Sequence, residues 1–164
     1  GEYYELIAEQ FSKLGIPDSN IDIIHYYNDD INEMKYKISS SDIIFFTGGL
    51  PDKTMERLKE KELVDNIKSF EGIVMGASAG ALIQLPEYFC TPDKDYPKFS
   101  FYKGLGLTRP DIYVEVHYEG TPLKDEFPLL RNKNKKIYAI PNGAGLICRE
   151  NNIEIIGDVI VFEN

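Results

Sequence analysis

The apolar positions in the first half of the chain follow two patterns, one typical of helices and one typical of short buried strands. In residues 3–14 the apolar side chains recur at helical spacing, at Tyr4, Ile7, Ala8, Phe11 and Leu14. Short apolar runs predict strands, and further helical patterns separate them. The predicted strands are 21–26, 42–46 and 73–75. We expect the second to be fully buried and the third to be buried as well, and the predicted helices are 30–38 and 53–63. This alternation favours an α/β fold with a parallel sheet covered on both faces.

The second half of the chain has a different pattern. Residues 85–102 are rich in proline and aromatic side chains and have no clear helical period. After them we predict a strand, a weak helix, another strand and a C-terminal hairpin that turns at 150–152. These elements are 113–118, 122–132, 136–140, and 145–148 with 153–162.

Composition limits the classes of partner. The chain has 164 residues, which fits one domain over 1–164, and a formal net charge of −9, which disfavours binding to nucleic acid. No apolar run approaches the roughly 20 residues of a membrane helix, and the acidic first residues are unlike a signal peptide. We therefore expect a cytoplasmic protein without a membrane partner. Cys90 and Cys148 are too far apart in sequence to indicate a metal or redox motif, and we expect both to be buried and no metal or cofactor to bind.

The segment with the clearest chemistry is Gly76-Ala77-Ser78-Ala79-Gly80, which directly follows the predicted strand 73–75. A G-x-S-x-G sequence between a strand and a helix is typical of a nucleophile elbow, a sharp turn that presents the serine hydroxyl at the end of the strand. The backbone N–H of Ala79 then faces a developing oxyanion. Without further context, a glycine-rich turn that happens to contain a serine explains the same five residues.

A serine nucleophile needs a base within hydrogen-bond reach, and the chain has two histidines. His25 lies in an early predicted strand, where a structural role is the simpler interpretation. His117 comes at the carboxyl end of the predicted strand 113–118, the edge where open α/β sheets place their ligands. His117 is therefore the candidate base for Ser78.

Four segments of the sequence resemble, in order and spacing, the dipeptidase E (aspartyl dipeptidase) family of serine peptidases. They are Asp42–Gly49, Gly76–Ala81, Val116–Tyr118 and Ile137–Gly143. The resemblance implies a three-layer, mostly parallel, flavodoxin-like sheet of the class I glutamine-amidotransferase type. It also implies that Ser78 is the nucleophile and His117 the base, and that Gly48 and Gly49 complete an oxyanion hole with Ala79.

The chain departs from this family at its beginning. Family members carry a strand, a helix and a second strand before the first helix found here, and this sequence has no counterpart of them. The resemblance therefore implies either a truncated domain or a sheet completed by another chain, for example in a homodimer. An uncovered inner strand would expose unpaired backbone groups and invite such pairing.

The residue that orients His117 is left open by the sequence. Asn142 stands where well-known family members carry the triad acid, and an amide can hold an imidazole but supplies no charge. The family offers a second position, an aspartate about fifteen residues after the nucleophile, which is Asp93 here. Asp93 is equally well explained as a turn residue. Glu115, on the same strand face as His117, is a third candidate.

The expected function is hydrolysis of small peptides through an acyl-enzyme at Ser78, with aspartyl dipeptides as the substrates that the resemblance implies. The family's glycine turn is usually followed by Asn-Thr, but here Leu50-Pro51-Asp52 follows, so the pocket rim differs. An aspartyl side chain needs a fixed cation, for which the candidates are Lys124, Arg131 and Arg109. The alternative is a non-catalytic member of the fold that binds a small ligand or a protein partner. A glutamine amidotransferase is disfavoured because it would need a cysteine at position 78, where this chain has a serine. An α/β-hydrolase is disfavoured because its histidine lies near the chain end, whereas no histidine follows His117 here.

Overall fold

The computed structural model describes residues 2–120, 130, 133–150 and 152–163. Contacts divide the chain into two compact units, Gly1–Ser41 and Asp42–Asn164. Ser78, His117 and Asn142 all belong to the second unit. The predicted helix 122–132 lies almost wholly outside the described residues.

The first unit contains two helices and a short 3-10 turn. Helix α1 spans Glu2–Lys13, the 3-10 turn spans Asp18–Asn20, and α2 spans Ile31–Ser40. Helix α1 is followed by Gly15, which has a positive φ of 83° that favours glycine. Helix α2 begins where the Asp30 carboxylate accepts a 2.9 Å hydrogen bond from the Glu33 backbone N–H, a standard N-cap. Both predicted helices are confirmed.

The predicted strand at 21–26 is wrong. A strand satisfies its backbone groups through a neighbouring strand, whereas here side chains take that place. Lys37 Nζ donates to the Ile23 carbonyl at 2.9 Å, and the His25 backbone N–H donates to the Asp29 carboxylate at 2.9 Å. Lys37 also bonds to Asp29 at 2.7 Å, and this hydrogen bond lowers the pKa of Asp29. The apolar run is therefore an extended segment without strand pairing.

The second unit contains three short helices and nine strands within its described residues. The helices are α3 (Pro51–Glu60), α4 (Val64–Lys68) and α5 (Ala79–Leu82). The strands are β1 (Ile43–Phe46), β2 (Ile73–Gly76), β3 (Glu87–Cys90), β4 (Ser100–Lys103), β5 (Ile112–Val116), β6 (Lys136–Ile140), β7 (Gly145–Arg149), β8 (Asn152–Ile156) and β9 (Ile160–Phe162).

Parallel pairing joins the strands that lead to the candidate residues. Strands β1 and β2 are parallel, with Phe46 opposite Gly76, and β5 and β6 are parallel, with Val116 opposite Ile140. Strand β9 adds antiparallel to β6, and β3–β4 and β7–β8 are antiparallel pairs. The mixed α/β class is thus confirmed. The described strands form four separate hydrogen-bonded sheets, so one continuous flavodoxin-like sheet stays a prediction.

Burial differs from expectation in strands β1 and β2. All four residues of β1 are half-buried rather than fully buried. In β2, Ile73 is 61% exposed and Met75 39% exposed, so one face of this strand meets solvent. A continuous apolar run does not reveal whether both faces of a strand are covered, because that depends on which elements pack against it.

Two further expectations need correction in the second half, and one segment without an assigned element contains strands. Residues 85–103 contain the antiparallel pair β3–β4, whose apolar run Tyr88–Cys90 is buried and therefore lacks the alternation of a one-faced strand. The segment 153–162 is not one strand, because Gly157, with a positive φ of 76°, separates β8 from β9. Cys148 is exposed, whereas Cys90 is buried as predicted.

A hydrophobic core supports strand β5, which leads to His117. Phe89, Tyr113, Leu130 and Ile137 are almost fully buried in it. The Tyr113 hydroxyl donates a hydrogen bond to the Glu87 carboxylate, and Lys133 Nζ lies 3.3 Å from the same group. These contacts lower the pKa of Glu87, with the Tyr113 hydrogen bond as the main cause. Strand β5 is thereby held against β3 by both packing and a charged hydrogen-bond network.

Candidate active site

Ser78 lies at a tight turn between β2 and α5. Its φ of 55° and ψ of −119° belong to a region that non-glycine residues rarely occupy, and such conformations persist only where the surroundings enforce them. Close packing of the backbone around the turn enforces this conformation, and the flanking glycines make that packing possible. A Cβ on Gly76 would lie 2.1 Å from the Gly80 carbonyl oxygen, and a Cβ on Gly80 would lie 2.2 Å from the Phe46 carbonyl oxygen. Both glycines are therefore required for close backbone packing at the turn.

Replacing Gly80 with alanine is expected to lower the free energy of unfolding by about 3 kcal/mol, because the new methyl group must displace backbone atoms of β1. Urea denaturation followed by circular dichroism measures the change. Gly145→Ala is the matched control, since no atom lies within 4 Å of a Cβ built on this strand glycine, and its effect should stay within about 0.5 kcal/mol. Equal effects of the two substitutions would contradict the packing argument.

His117 and Asn142 reach Ser78 because they follow neighbouring parallel strands. His117 comes directly after β5, and Asn142 comes two residues after β6. The Tyr118 backbone N–H donates to the Ile140 carbonyl at 3.0 Å, which extends the pairing past the strand ends. Strand ends on one edge of a parallel sheet bring their following residues together.

The three side chains form a continuous hydrogen-bonded chain. His117 Nε2 lies 2.8 Å from Ser78 Oγ, well inside the limit of about 4 Å expected for a serine–base pair. On the other side of the ring, His117 Nδ1 lies 2.7 Å from Asn142 Oδ1. With an acceptor at Nδ1, the imidazole keeps its proton there and presents an unprotonated Nε2 to the serine hydroxyl. The arrangement can remove the proton from Ser78.

The Gly48-Gly49 turn occupies the same edge of the sheet as Ser78. It follows β1, whose last residue, Phe46, pairs with Gly76 just before the Ser78 turn. No described backbone carbonyl accepts a hydrogen bond from the N–H of Gly48 or Gly49. Ala79 is the first residue of α5, where a helix has no internal acceptor for its N–H. Donors are thus available near Ser78, and their convergence on one point stays a prediction.

Asp93 lies in a turn of its own. Its carboxylate accepts hydrogen bonds of 2.8 and 2.7 Å from two backbone N–H groups within that turn. Its described contacts do not include His117, whose Nδ1 is occupied by the amide of Asn142. Glu115 instead accepts a 3.2 Å hydrogen bond from the Thr91 hydroxyl. The geometry therefore brings Asn142, rather than Asp93 or Glu115, to the imidazole.

The expected cation for an aspartyl side chain is not evident among the described residues. The Arg109 guanidinium forms a bidentate pair with the Asp111 carboxylate, at 2.9 and 2.6 Å. Lys124 and Arg131 lie outside the described residues.

The described part of the chain also contains no group of three or more His, Cys, Asp or Glu side chains placed to hold a metal ion. None of its helices has the length and apolar character needed to span a bilayer.

One contact near the site was missed by sequence reasoning. The Tyr96 hydroxyl donates a 2.5 Å hydrogen bond to the carboxylate of Asp52, in the first turn of α3. The only sequence signal was Pro51, which marks the start of a helix and so places Asp52 in its first turn. The contact joins the segment after β3 to the helix that follows the Gly48-Gly49 turn.

Comparison with protein-family models identifies the family of this chain. The sequence model of peptidase family S51 matches residues 1–156, almost the whole chain. The chain belongs to peptidase family S51. A search of curated proteins finds no match for this S51 member.

Two solved structures share the fold. A candidate peptidase E protein from Listeria monocytogenes EGD-e superposes with a TM-score of 0.62 at 23% identity, over 93% of this chain and 73% of its own. A peptidase from an acI-B1 Actinobacterium superposes with a TM-score of 0.56 at 17% identity, over 81% of this chain and 64% of its own. At these sequence identities, the structural similarity is evidence for a shared fold only. The match to the S51 family model is what assigns the chain to the peptidases.

Proposed function

We propose that this S51 member is a serine-type peptidase that cleaves small peptides through an acyl-enzyme at Ser78. The observation that carries the proposal is the chain from Ser78 Oγ to His117 Nε2, at 2.8 Å, and from His117 Nδ1 to Asn142, at 2.7 Å. A serine becomes nucleophilic when a positioned base takes its proton and a third group orients that base.

The first half of the reaction forms the acyl-enzyme. His117 Nε2 takes the Ser78 proton while Oγ bonds to the carbonyl carbon of the scissile peptide. We expect the resulting oxyanion to accept hydrogen bonds from the N–H groups of Ala79 and of Gly48 or Gly49. His117 then gives the proton to the departing amine as the carbon–nitrogen bond breaks. This leaves an ester at Ser78 and a free amine product.

The second half repeats these steps with water. His117 takes a proton from a water molecule, the hydroxide adds to the ester carbonyl, and the proton returns to Ser78 Oγ as the acid product leaves. Asn142 acts throughout as a positioning residue, because its amide oxygen holds the Nδ1–H tautomer without adding charge. The imidazolium formed in each half is therefore stabilised less than it would be beside a carboxylate.

Covalent labelling tests the proposal without knowledge of the substrate. A small alkyl fluorophosphonate should label the folded protein at one site, which peptide mass spectrometry should map to Ser78. The Ser78→Ala variant and urea-denatured protein should both stay unlabelled, because labelling requires the hydroxyl and its assembled base. Absence of labelling in a sample with a native circular-dichroism spectrum would reject the serine-peptidase mechanism and favour a role in binding a small ligand or a protein.

The aspartyl dipeptide preference implied by the resemblance has weaker support. It needs a cation, and the one described candidate, Arg109, is paired with Asp111. We therefore propose small peptides as the substrate class, with an aspartyl substrate as one arm of the experiment below.

A further inference from the structure

Three tyrosines and one aspartate form a contiguous group beside the candidate active site, which we call the tyrosine–aspartate cluster: Tyr88, Tyr96, Tyr102 and Asp52. The Tyr88 and Tyr102 rings stack with centroids 5.5 Å apart, and Tyr96 meets Tyr102 edge to face at 5.9 Å. Tyr96 in turn donates its 2.5 Å hydrogen bond to Asp52. Ring contacts and one hydrogen bond therefore connect a buried tyrosine to a carboxylate.

The Tyr88 hydroxyl is unusual within this cluster. The side chain is fully buried, and its oxygen has no hydrogen-bond partner among the described residues. Burial raises the pKa of Tyr88 strongly, and the nearby Cys90 and Asp52 raise it further. A buried hydroxyl without a partner costs about 1–3 kcal/mol, so such a group calls for a polar partner that this chain does not supply from its described part.

The electrostatic environment of the cluster is negative. Burial raises the pKa of the neighbouring Cys90 thiol to about 12, and the carboxylates of Asp52, Asp93 and Glu115 all act in the same direction. No described Lys or Arg side chain forms an ion pair with Asp52 within 4.0 Å; the adjacent Lys53 pairs with Glu56 at 2.6 Å. A site with this potential and with tyrosine rings attracts cations rather than anions.

Chain connectivity places the cluster close to the reacting groups. Asp52 comes three residues after Gly49, in the first turn of α3, and α3 contacts α5, the helix that begins directly after Ser78. Consecutive Cα atoms are about 3.8 Å apart, so three residues span at most about 11 Å. A carboxylate at this distance from the Gly48-Gly49 turn can reach a substrate residue next to the scissile bond.

We propose that the tyrosine–aspartate cluster is a substrate subsite for a cationic nitrogen group, either the α-ammonium group of a peptide or the side chain of a Lys or Arg residue. The proposal rests on the proposed peptidase function and names its substrate class. Asp52 accepts an N–H hydrogen bond from the cation, and the partly exposed rings of Tyr96 and Tyr102 contribute cation–π attraction. The buried Tyr88 oxygen gains its missing partner when the bound cation displaces the side chains that cover it. An aspartyl side chain would be repelled at this position.

Hydrolysis of aminocoumarin amides separates the two sources of positive charge. The substrates are the amides of arginine, leucine and aspartate, and the N-acetylated forms of the first two. If the side chain binds, acetyl-arginine amide should exceed acetyl-leucine amide in kcat/KM by about 10-fold or more, as expected for a charge-assisted hydrogen bond. If the α-ammonium group binds, free leucine amide should exceed its acetylated form by a similar factor. Either result supports the subsite.

Asp52→Asn is the decisive variant, since it keeps an acceptor for Tyr96 and removes the charge. The measured quantity is the ratio of kcat/KM for cationic over neutral substrate within one variant, which cancels any general loss of activity. This ratio should fall to about 1 in Asp52→Asn if the preference is electrostatic. Asp95→Asn removes the same charge from the exposed turn nearby and should leave the ratio unchanged. An unchanged ratio in Asp52→Asn, or a preference for the aspartate amide, would overturn the subsite.

Binding to an inactive variant tests the subsite independently of catalysis. Argininamide should bind Ser78→Ala protein more tightly than acetyl-leucinamide, by about 10-fold in calorimetry, and Asp52→Asn in the same background should abolish the difference. Loss of Ser78 labelling with this binding intact would reject the peptidase mechanism and retain the cation site. Labelling and hydrolysis without any Asp52-dependent preference would retain the mechanism and reject the site.

Discussion

Replacing His117 with alanine is expected to slow fluorophosphonate labelling of Ser78 by at least about 10², the usual contribution of one general base. His117 Nε2 lies 2.8 Å from Ser78 Oγ, so its loss leaves the hydroxyl without a group to take its proton. Pseudo-first-order labelling rates, measured by intact-protein mass spectrometry over a range of probe concentrations, give the comparison.

His25→Ala is the matched control for that experiment. His25 is the other histidine of the chain, it is exposed, and its described hydrogen bonds use the backbone N–H and carbonyl rather than the ring. Its replacement should leave the labelling rate within about 2-fold, because exposed substitutions of this kind change stability little. If His117→Ala and His25→Ala label at the same rate, Ser78 reacts without the proposed base.

Substitutions at Asn142 should change the labelling rate in both directions. Asn142→Ala removes the acceptor 2.7 Å from His117 Nδ1 and should slow labelling about 10-fold or more, because the imidazole then loses its fixed tautomer and orientation. Asn142→Asp adds a negative charge beside the imidazolium that forms as Ser78 gives up its proton. In trypsin, replacing the triad aspartate with asparagine lowers turnover by about 10⁴, so the reverse change is expected to speed the reaction here.

Asp93→Asn distinguishes the two candidate orienting residues. The Asp93 carboxylate accepts hydrogen bonds within its own turn, and an asparagine oxygen can accept the same bonds. Labelling of Asp93→Asn should therefore stay within about 3-fold of the unmodified protein, well above the rate of Asn142→Ala. The opposite order would show that Asp93 reaches His117 during the reaction and that the contact with Asn142 is secondary.

Local sequence patterns determined the parts of this protein that depend on neighbouring residues. The helical spacing of 3–14 and the helical pattern of 30–38 predicted α1 and α2, because both signals act within a few residues. The segment Gly76–Gly80 predicted a strand–turn–helix, because only glycine fits the backbone contacts at its ends. The position of His117 after a strand likewise indicated which histidine lies at the carboxyl edge of the sheet.

Only the tertiary structure decided features that depend on residues distant in sequence. The sequence left Asn142, Asp93 and Glu115 as alternatives, and the parallel register of β5 and β6 brings Asn142 to the imidazole. Residues 21–26 have the apolar pattern of a strand, but side chains satisfy their backbone groups. The contact between Tyr96 and Asp52 spans 44 positions. Spacing along a chain reports which residues share a face of one element, whereas pairing between elements depends on how their surfaces fit.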